Sequence, residues 1–221
     1  MKNLSQMDLT AESRVRIAIN QAMEIYMNQL NTGYITIGLE NAFQMHLASI
    51  IGDLLNINTY YPDEKFVIHF EKNMPINSNN DYVDIVINYH NKDSIEQYLM
   101  ELKFKKISDS APDLGNIESY IDIYNLDTHK KKTTNVKNCY FIFLTDLETY
   151  KRKARSGTRT EIPMYDGYVI QKGTQYTVTG MAAKKNTIKY PNGFMFNSDY
   201  KIEYTQFDVS DKPYWYYILE I

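Results

Sequence analysis

Apolar residues recur at helical spacing in two early stretches of the chain. In residues 12–30, small and branched apolar side chains fall on one face, which predicts an amphipathic helix. A second helix is predicted from about residue 36 to residue 55. Its buried stripe consists of Phe43, Leu47, Ile50, Ile51, Leu54 and Leu55.

Strand-like apolar runs follow at residues 65–71, 82–88 and 97–105. A third helix is predicted to begin at Pro112, with a stripe of Leu114, Ile117, Ile121 and Tyr124. The continuous apolar run at 138–145 is typical of a strand covered on both faces. This order of elements predicts an α/β (α+β) protein with a central mixed sheet flanked by helices.

Composition narrows the class of protein. The single Cys139 opens an apolar run, which favours a buried thiol in a reducing compartment over a disulfide framework. We find no apolar run long enough to span a membrane and no secretory signal in the polar first sixteen residues. The sequence therefore predicts a cytoplasmic protein without a membrane segment.

Charged residues inside two of the predicted strands are the most informative feature of the sequence. Asp84 lies in an apolar strand, and Glu101 and Lys103 lie in the next one. Side chains alternate between the faces of a strand, so Glu101 and Lys103 share one face, and a hairpin between the strands would place Asp84 beside them. An unpaired charge in a buried strand is costly. The pattern predicts a divalent-metal site with a lysine next to it.

A more ordinary interpretation of these three residues is also open. Glu101 and Lys103 would form an exposed ion pair on a solvated strand face, and Asp84 would accept hydrogen bonds in a turn. Glu40 has two interpretations as well, because it lies on the apolar stripe of the second helix. It is either a helix-start residue favoured by the helix dipole or part of a buried site.

The net charge of −3 conceals a basic segment between residues 129 and 159, which carries a formal charge of +7. Such a segment can bind a polyanion locally in a protein that is acidic elsewhere. A solvated loop is the alternative. The candidate nucleic-acid-binding residues are Lys105, Lys130, Lys131, Lys132, Lys151, Arg152, Lys153, Arg155 and Arg159.

The charged strand residues resemble the motif of the PD-(D/E)XK nuclease superfamily, which has the restriction-endonuclease-like fold. Asp84 is followed, after sixteen residues, by Glu101-Leu102-Lys103, with Leu102 as the variable position. The proline that gives the superfamily its name is absent, because Val83 precedes Asp84.

The resemblance extends to the order of elements across about residues 36–145, since the family core is αβββαβ. Glu40 matches the acidic residue that many members place on the helix before the sheet. On this basis we expect one domain over 1–221, with a basic loop at 146–159 and a β-rich C-terminal elaboration at 160–221 packed on the same sheet.

The resemblance implies roles for individual residues. The carboxylates of Asp84 and Glu101 and the backbone carbonyl of Leu102 would bind Mg²⁺, for which Mn²⁺ is the expected substitute. Glu40 would reach a second ion or hold a metal-bound water. Lys103 would orient or help deprotonate the attacking water and stabilise charge on the phosphate.

The leading hypothesis is therefore a Mg²⁺-dependent endonuclease that hydrolyses DNA, of a restriction or defence type and dimeric. One alternative is a nuclease-fold protein that binds nucleic acid or a partner protein without cutting. Another is a ribonuclease or a ligand-activated nuclease. The four histidines show no zinc-ligand spacing, which excludes a zinc mechanism.

Overall fold

The computed structural model describes residues 9–75, 81–92, 94–108, 112–180, 190–210 and 212–221. Residues 1–8, which belong to the polar N-terminal stretch, lie outside these ranges, as do residues 181–189, to which the sequence assigns no element. Within the described ranges, no helix combines the length and the apolar character needed to cross a bilayer.

Two helices precede the sheet, as the hydrophobic spacing predicts. Helix α1 covers Ala11–Asn31 and is capped by Thr10, whose hydroxyl accepts the Ser13 N–H at 3.1 Å. Helix α2 covers Glu40–Ile57, so it begins about four residues later than the sequence suggests. The two helices pack against each other through the rings of Tyr26 and Phe43, whose centroids lie 5.0 Å apart.

A central six-stranded mixed sheet follows, in the strand order β1-β2-β3-β4-β10-β9. The pairings β1–β2, β2–β3, β4–β10 and β9–β10 are antiparallel, whereas β3 and β4 are parallel because helix α3 crosses between them. These elements are β1 Glu64–Asn73, β2 Tyr82–Asn91, β3 Ser94–Lys105, α3 Pro112–Lys132, β4 Val136–Thr145, β9 Thr205–Val209 and β10 Lys212–Glu220.

The C-terminal third contributes to both the sheet and the outer layer. Strands β9 and β10 extend the sheet beyond β4. Between β4 and β9 come the short helix α4 and two small two-stranded sheets, β5–β8 and β6–β7. Their bounds are α4 Thr158–Glu161, β5 Val169–Ile170, β6 Gln175–Tyr176, β7 Phe194–Met195 and β8 Tyr200–Lys201.

Apolar side chains are buried on both faces of the sheet. One face packs on α1 and α2, and the other packs on α3 and the small sheets. Because the small sheets cover the outer side of α3, this helix is buried nearly all round. The predicted stripe of α3 is part of a larger buried surface: Ile117 is buried, and Leu114, Ile121 and Tyr124 are half-buried and pack against the same core. The predicted burial of Cys139 is confirmed.

Candidate active site

The candidate site forms where strands β2 and β3 separate. Their antiparallel ladder ends at the pair Ile85–Met100. Strand β3 nevertheless continues beside β4 as far as Lys105, which pairs with Thr145. The edge of β3 that faces β2 is therefore open beyond Met100, and its backbone groups need other partners.

Two carboxylates occupy this open edge. Asp84, at the point where β2 leaves the ladder, accepts the Leu102 N–H on Oδ2 at 2.8 Å. Glu40, the first residue of α2, accepts the Phe104 N–H on Oε2 at 2.8 Å. Glu40 therefore starts helix α2 and also contacts the open edge of β3, with 37 % of its side chain exposed. These hydrogen bonds hold both carboxylates against β3.

The side chains of Asp84, Glu101 and Lys103 lie on the sheet face that packs on α3, as strand alternation requires. Val86 and Leu99 pair with each other and belong to the α3 side of the core. Asp84 and Glu101 lie two positions from them along their strands and therefore on the same face. Each of the Asp84 and Glu101 carboxyls shifts the pKa of the other, so the two groups lie close together. Glu101 is only 5 % exposed. The interpretation as an exposed surface pair is therefore wrong.

Lys103 pairs with carboxylates other than Glu101, one of which comes from helix α3. Its ammonium lies 2.9 Å from Oδ2 of Asp122 and 3.6 Å from Oε1 of Glu40. The Lys103 and Asp122 side chains are 14 % and 16 % exposed. The sequence analysis missed Asp122, because one aspartate on a helix is normally solvated. The sequence does contain a signal, because Asp122 follows Ile121 within an otherwise apolar segment of the helix.

Burial and mutual repulsion decide the protonation of the carboxyl groups. Burial, then the nearby Asp122 and Asp84 carboxylates, raise the pKa of Glu101 well above its usual range. Burial also raises the pKa of Asp84, although the Leu102 N–H opposes this rise. Burial raises the pKa of Asp122 to about 7 despite the attraction of Lys103. Without a cation, this cluster retains protons that isolated carboxyls would release.

The lysine is held in its charged form. Burial alone would lower the pKa of Lys103, but the carboxylates of Asp122 and Glu40 outweigh burial, and the net shift is upward. Lys103 is therefore an ammonium ion at neutral pH and has no lone pair with which to accept a proton. Among the roles that the resemblance implies, this geometry favours charge stabilisation and orientation over proton abstraction.

Gln44 of helix α2 supports the backbone of Asp84, next to a strained residue of β1. Gln44, one turn after Glu40 on α2, donates from Nε2 to the backbone carbonyl of Asp84 at 2.6 Å. The same amide lies 3.4 Å from Oε1 of Glu71. Glu71 itself has a positive φ of 46°, which is a costly conformation for a side-chain-bearing residue. The buried amide of Gln44 thus fixes the backbone where β2 leaves the ladder.

The donor set fits a magnesium ion that keeps most of its water ligands. Among the described residues, no three His, Cys, Asp or Glu side chains form a ready-made metal cluster. Asp84 and Glu101 provide two carboxyl groups, and the carbonyl of Leu102 points to the same strand edge as its N–H. Mg²⁺ is commonly bound by one or two carboxylates plus water. A cation would also displace the proton that Asp84 and Glu101 retain.

Part of the basic segment lies beside the site. The loop after β4 begins next to Thr145, the last residue of that strand. Thr145 pairs with Lys105, which lies two residues beyond Lys103 on the parallel strand β3. Lys105 donates to Glu118 at 2.6 Å. Within the loop, Arg152 pairs with Glu148, and Arg159 donates to backbone carbonyls, including that of Arg152. Lys151, Lys153 and Arg155 belong to the same loop.

The other part of the basic segment lies elsewhere. Lys130, Lys131 and Lys132 form the last turn of α3, about 12 Å along the helix from Asp122. Lys130 donates to Asn138 Oδ1 at 2.8 Å, and Lys131 donates to Asn197 Oδ1 at 2.8 Å. The structure therefore does not bring these three lysines to the carboxylates.

No family model, no curated protein and no solved structure matches this chain.

Proposed function

We propose that this protein is a Mg²⁺-dependent endonuclease that hydrolyses phosphodiester bonds in DNA. The observation that carries the proposal is the proximity of the Asp84 and Glu101 carboxyls, which shift each other's pKa, with the Lys103 ammonium on the same strand face. We further propose that residues 36–145 have the restriction-endonuclease-like topology. The observed order helix, three strands, helix and strand supports this assignment.

Each site residue has a role that follows from its position. Asp84, Glu101 and the Leu102 carbonyl would hold the ion, and Glu40 would hold one of its waters or a second ion. When bound, Mg²⁺ supplies positive charge to the phosphate and lowers the pKa of its water. Lys103, fixed by Asp122 and Glu40, adds a second positive charge for the phosphate oxygens.

The loop 146–159 is the proposed contact for the DNA backbone. It carries Lys151, Arg152, Lys153, Arg155 and Arg159 and begins beside the carboxyl end of β3. Lysine and arginine neutralise phosphates and give salt-dependent affinity without reading the sequence. We expect a homodimer, because cutting both strands of a duplex requires two sites.

The test is cleavage of supercoiled plasmid by the wild type and by Lys103→Ala, with Mg²⁺ and with EDTA. We expect nicked or linear product with Mg²⁺ or Mn²⁺, none with EDTA, and at least a hundredfold loss in Lys103→Ala, within the range usual for one electrostatic group. Lys65→Ala is the matched control, since Lys65 is an exposed strand lysine. It should cut at the wild-type rate.

Full cleavage by both Lys103→Ala and Asp84→Ala would refute the proposed site. Cleavage of single-stranded RNA but of no DNA would replace DNA with RNA as the substrate. Absence of cleavage and of calorimetric Mg²⁺ binding, together with salt-dependent DNA binding, would show a nuclease-fold protein that binds without cutting.

A further inference from the structure

A second concave site lies at the far end of the sheet. It is a cavity of about 550 Å³ between the start of α1, the loop before β1 and the β2–β3 hairpin. Asn91 on β2 lines it, whereas Asp84 at the other end of β2 belongs to the candidate active site. The two residues are seven positions apart on the strand, which corresponds to about 23 Å. The cavity is therefore separate from the proposed nuclease site.

The floor of the cavity is a fixed and electrically balanced pair. Arg14 is 4 % exposed and binds both oxygens of Glu64, at 2.9 Å and 3.0 Å. It also donates to the Asn58 carbonyl at 2.9 Å. The rings of Phe66 and Tyr89 each lie 5.3 Å from the guanidinium carbon. The charge of Arg14 is therefore neutralised by Glu64 within the cavity floor, while its buried Nε has no hydrogen-bond partner.

The walls are aromatic and the rim carries carboxylates. Tyr60 and Tyr61 line the cavity and are each 53 % exposed. Glu12 lies on the rim and is exposed, and Glu96 is half-exposed and accepts the Tyr98 hydroxyl at 2.9 Å. Tyrosine faces and carboxylates all present negative potential, which favours cations.

We propose that this cavity binds a small organic cation that carries a guanidinium or ammonium group. With the Arg14–Glu64 pair neutral, the remaining lining charges are Glu12, Glu96 and the exposed Lys137, so the lining is acidic. The volume is that of small-molecule sites. The cation would stack on Tyr61, since the Tyr60 ring already lies 5.7 Å from the Arg14 guanidinium carbon, and it would pair with the rim carboxylates.

The test is isothermal titration of the full chain with agmatine, which has a guanidinium and an ammonium group. Butylurea is the uncharged comparison of similar shape. We expect agmatine to bind the wild type with a dissociation constant of about 1 mM or tighter and butylurea to give no saturable heat. The double variant Glu12→Gln/Glu96→Gln should bind agmatine at least about tenfold more weakly, because both acceptor charges are lost.

Glu24→Gln is the control, since Glu24 is an exposed residue of α1 outside the cavity, and it should bind as the wild type does. Tyr61→Ala changes an exposed ring and should also weaken binding. Three outcomes would overturn the proposal: no saturable agmatine binding to the wild type, equal binding of butylurea, or unchanged binding to the folded double variant. Circular dichroism verifies that each variant is folded.

Discussion

The ion pair between Lys103 and Asp122 allows a quantitative test of the site. Two neighbouring lysines of β3 pair with two carboxylates one turn apart on α3: Lys103 with Asp122, and Lys105 with Glu118. The first pair is 14 % and 16 % exposed, whereas Glu118 is 47 % exposed. Breaking a buried pair costs about 3–5 kcal/mol, whereas an exposed pair contributes about 0–1 kcal/mol.

We expect Asp122→Asn to lower the free energy of unfolding by about 3 kcal/mol, the lower end of the buried range. The lower end applies because Glu40 remains 3.6 Å from the ammonium and because burial, which raises the pKa of Asp122, makes its own negative charge costly in the folded protein. Glu118→Gln, the matched control, should lower it by less than about 1 kcal/mol. For a chain of this length, about 3 kcal/mol corresponds to a melting temperature lowered by about 6–12 °C.

The assay is urea unfolding at pH 8, where Asp122, with its pKa of about 7, is ionised. Trp215 is the only tryptophan and is 6 % exposed, so its fluorescence reports loss of the sheet at β10. Equal and small losses in Asp122→Asn and Glu118→Gln would refute the reasoning. That result would mean that Lys103 is solvated and needs no fixed partner.

Three further predictions concern other parts of the molecule. Burial raises the folded-state pKa of Glu101, so the folded protein keeps a proton that the unfolded chain releases above about pH 4.5. The free energy of unfolding should therefore fall as the pH rises from about 4.5 to the raised pKa of Glu101, by up to about 1.4 kcal/mol per pH unit. In urea titrations at several pH values, Glu101→Gln should reduce the dependence of the free energy of unfolding on pH. An unchanged dependence would contradict the prediction. A Cβ on Gly115 would overlap the buried Tyr150 hydroxyl. Gly115→Ala should therefore cost about 1–3 kcal/mol in thermal unfolding, whereas Gly38→Ala, which meets no atom within 4 Å, should cost little. Burial raises the pKa of Cys139 to about 12, so a thiol reagent at pH 8 should modify it only after urea unfolding, and rapid labelling of the native protein would disprove this.

The helices and the central strands could be predicted from hydrophobic spacing, because burial on one face leaves a period in the sequence. The same argument placed Asp84, Glu101 and Lys103 on one face, and the structure brings them together. The start of α2 was less predictable, since residues 36–39 are compatible with a helix but lie before its first turn.

The helix α3 shows why periodicity sometimes fails. Its pattern predicts one buried stripe, but the small sheets β5–β8 and β6–β7 cover its outer side. Polar residues such as Asn116 and Ser119 are therefore buried as well. When most of the surface of a helix is covered, its polar residues no longer mark one solvated face.

The sequence alone determined the three long helices and the central strands, the shared face of the charged strand residues and the resemblance to a nuclease motif, but not the short elements between β4 and β9. It could not determine which partner each charge takes, because that depends on contacts between residues distant in the chain. Asp122 reaches Lys103 only because α3 packs on β3, and Glu40 reaches Phe104 only because β2 and β3 separate there. The tertiary structure therefore decided that Lys103 is a fixed ammonium ion and that burial raises the pKa of the carboxyls beside it.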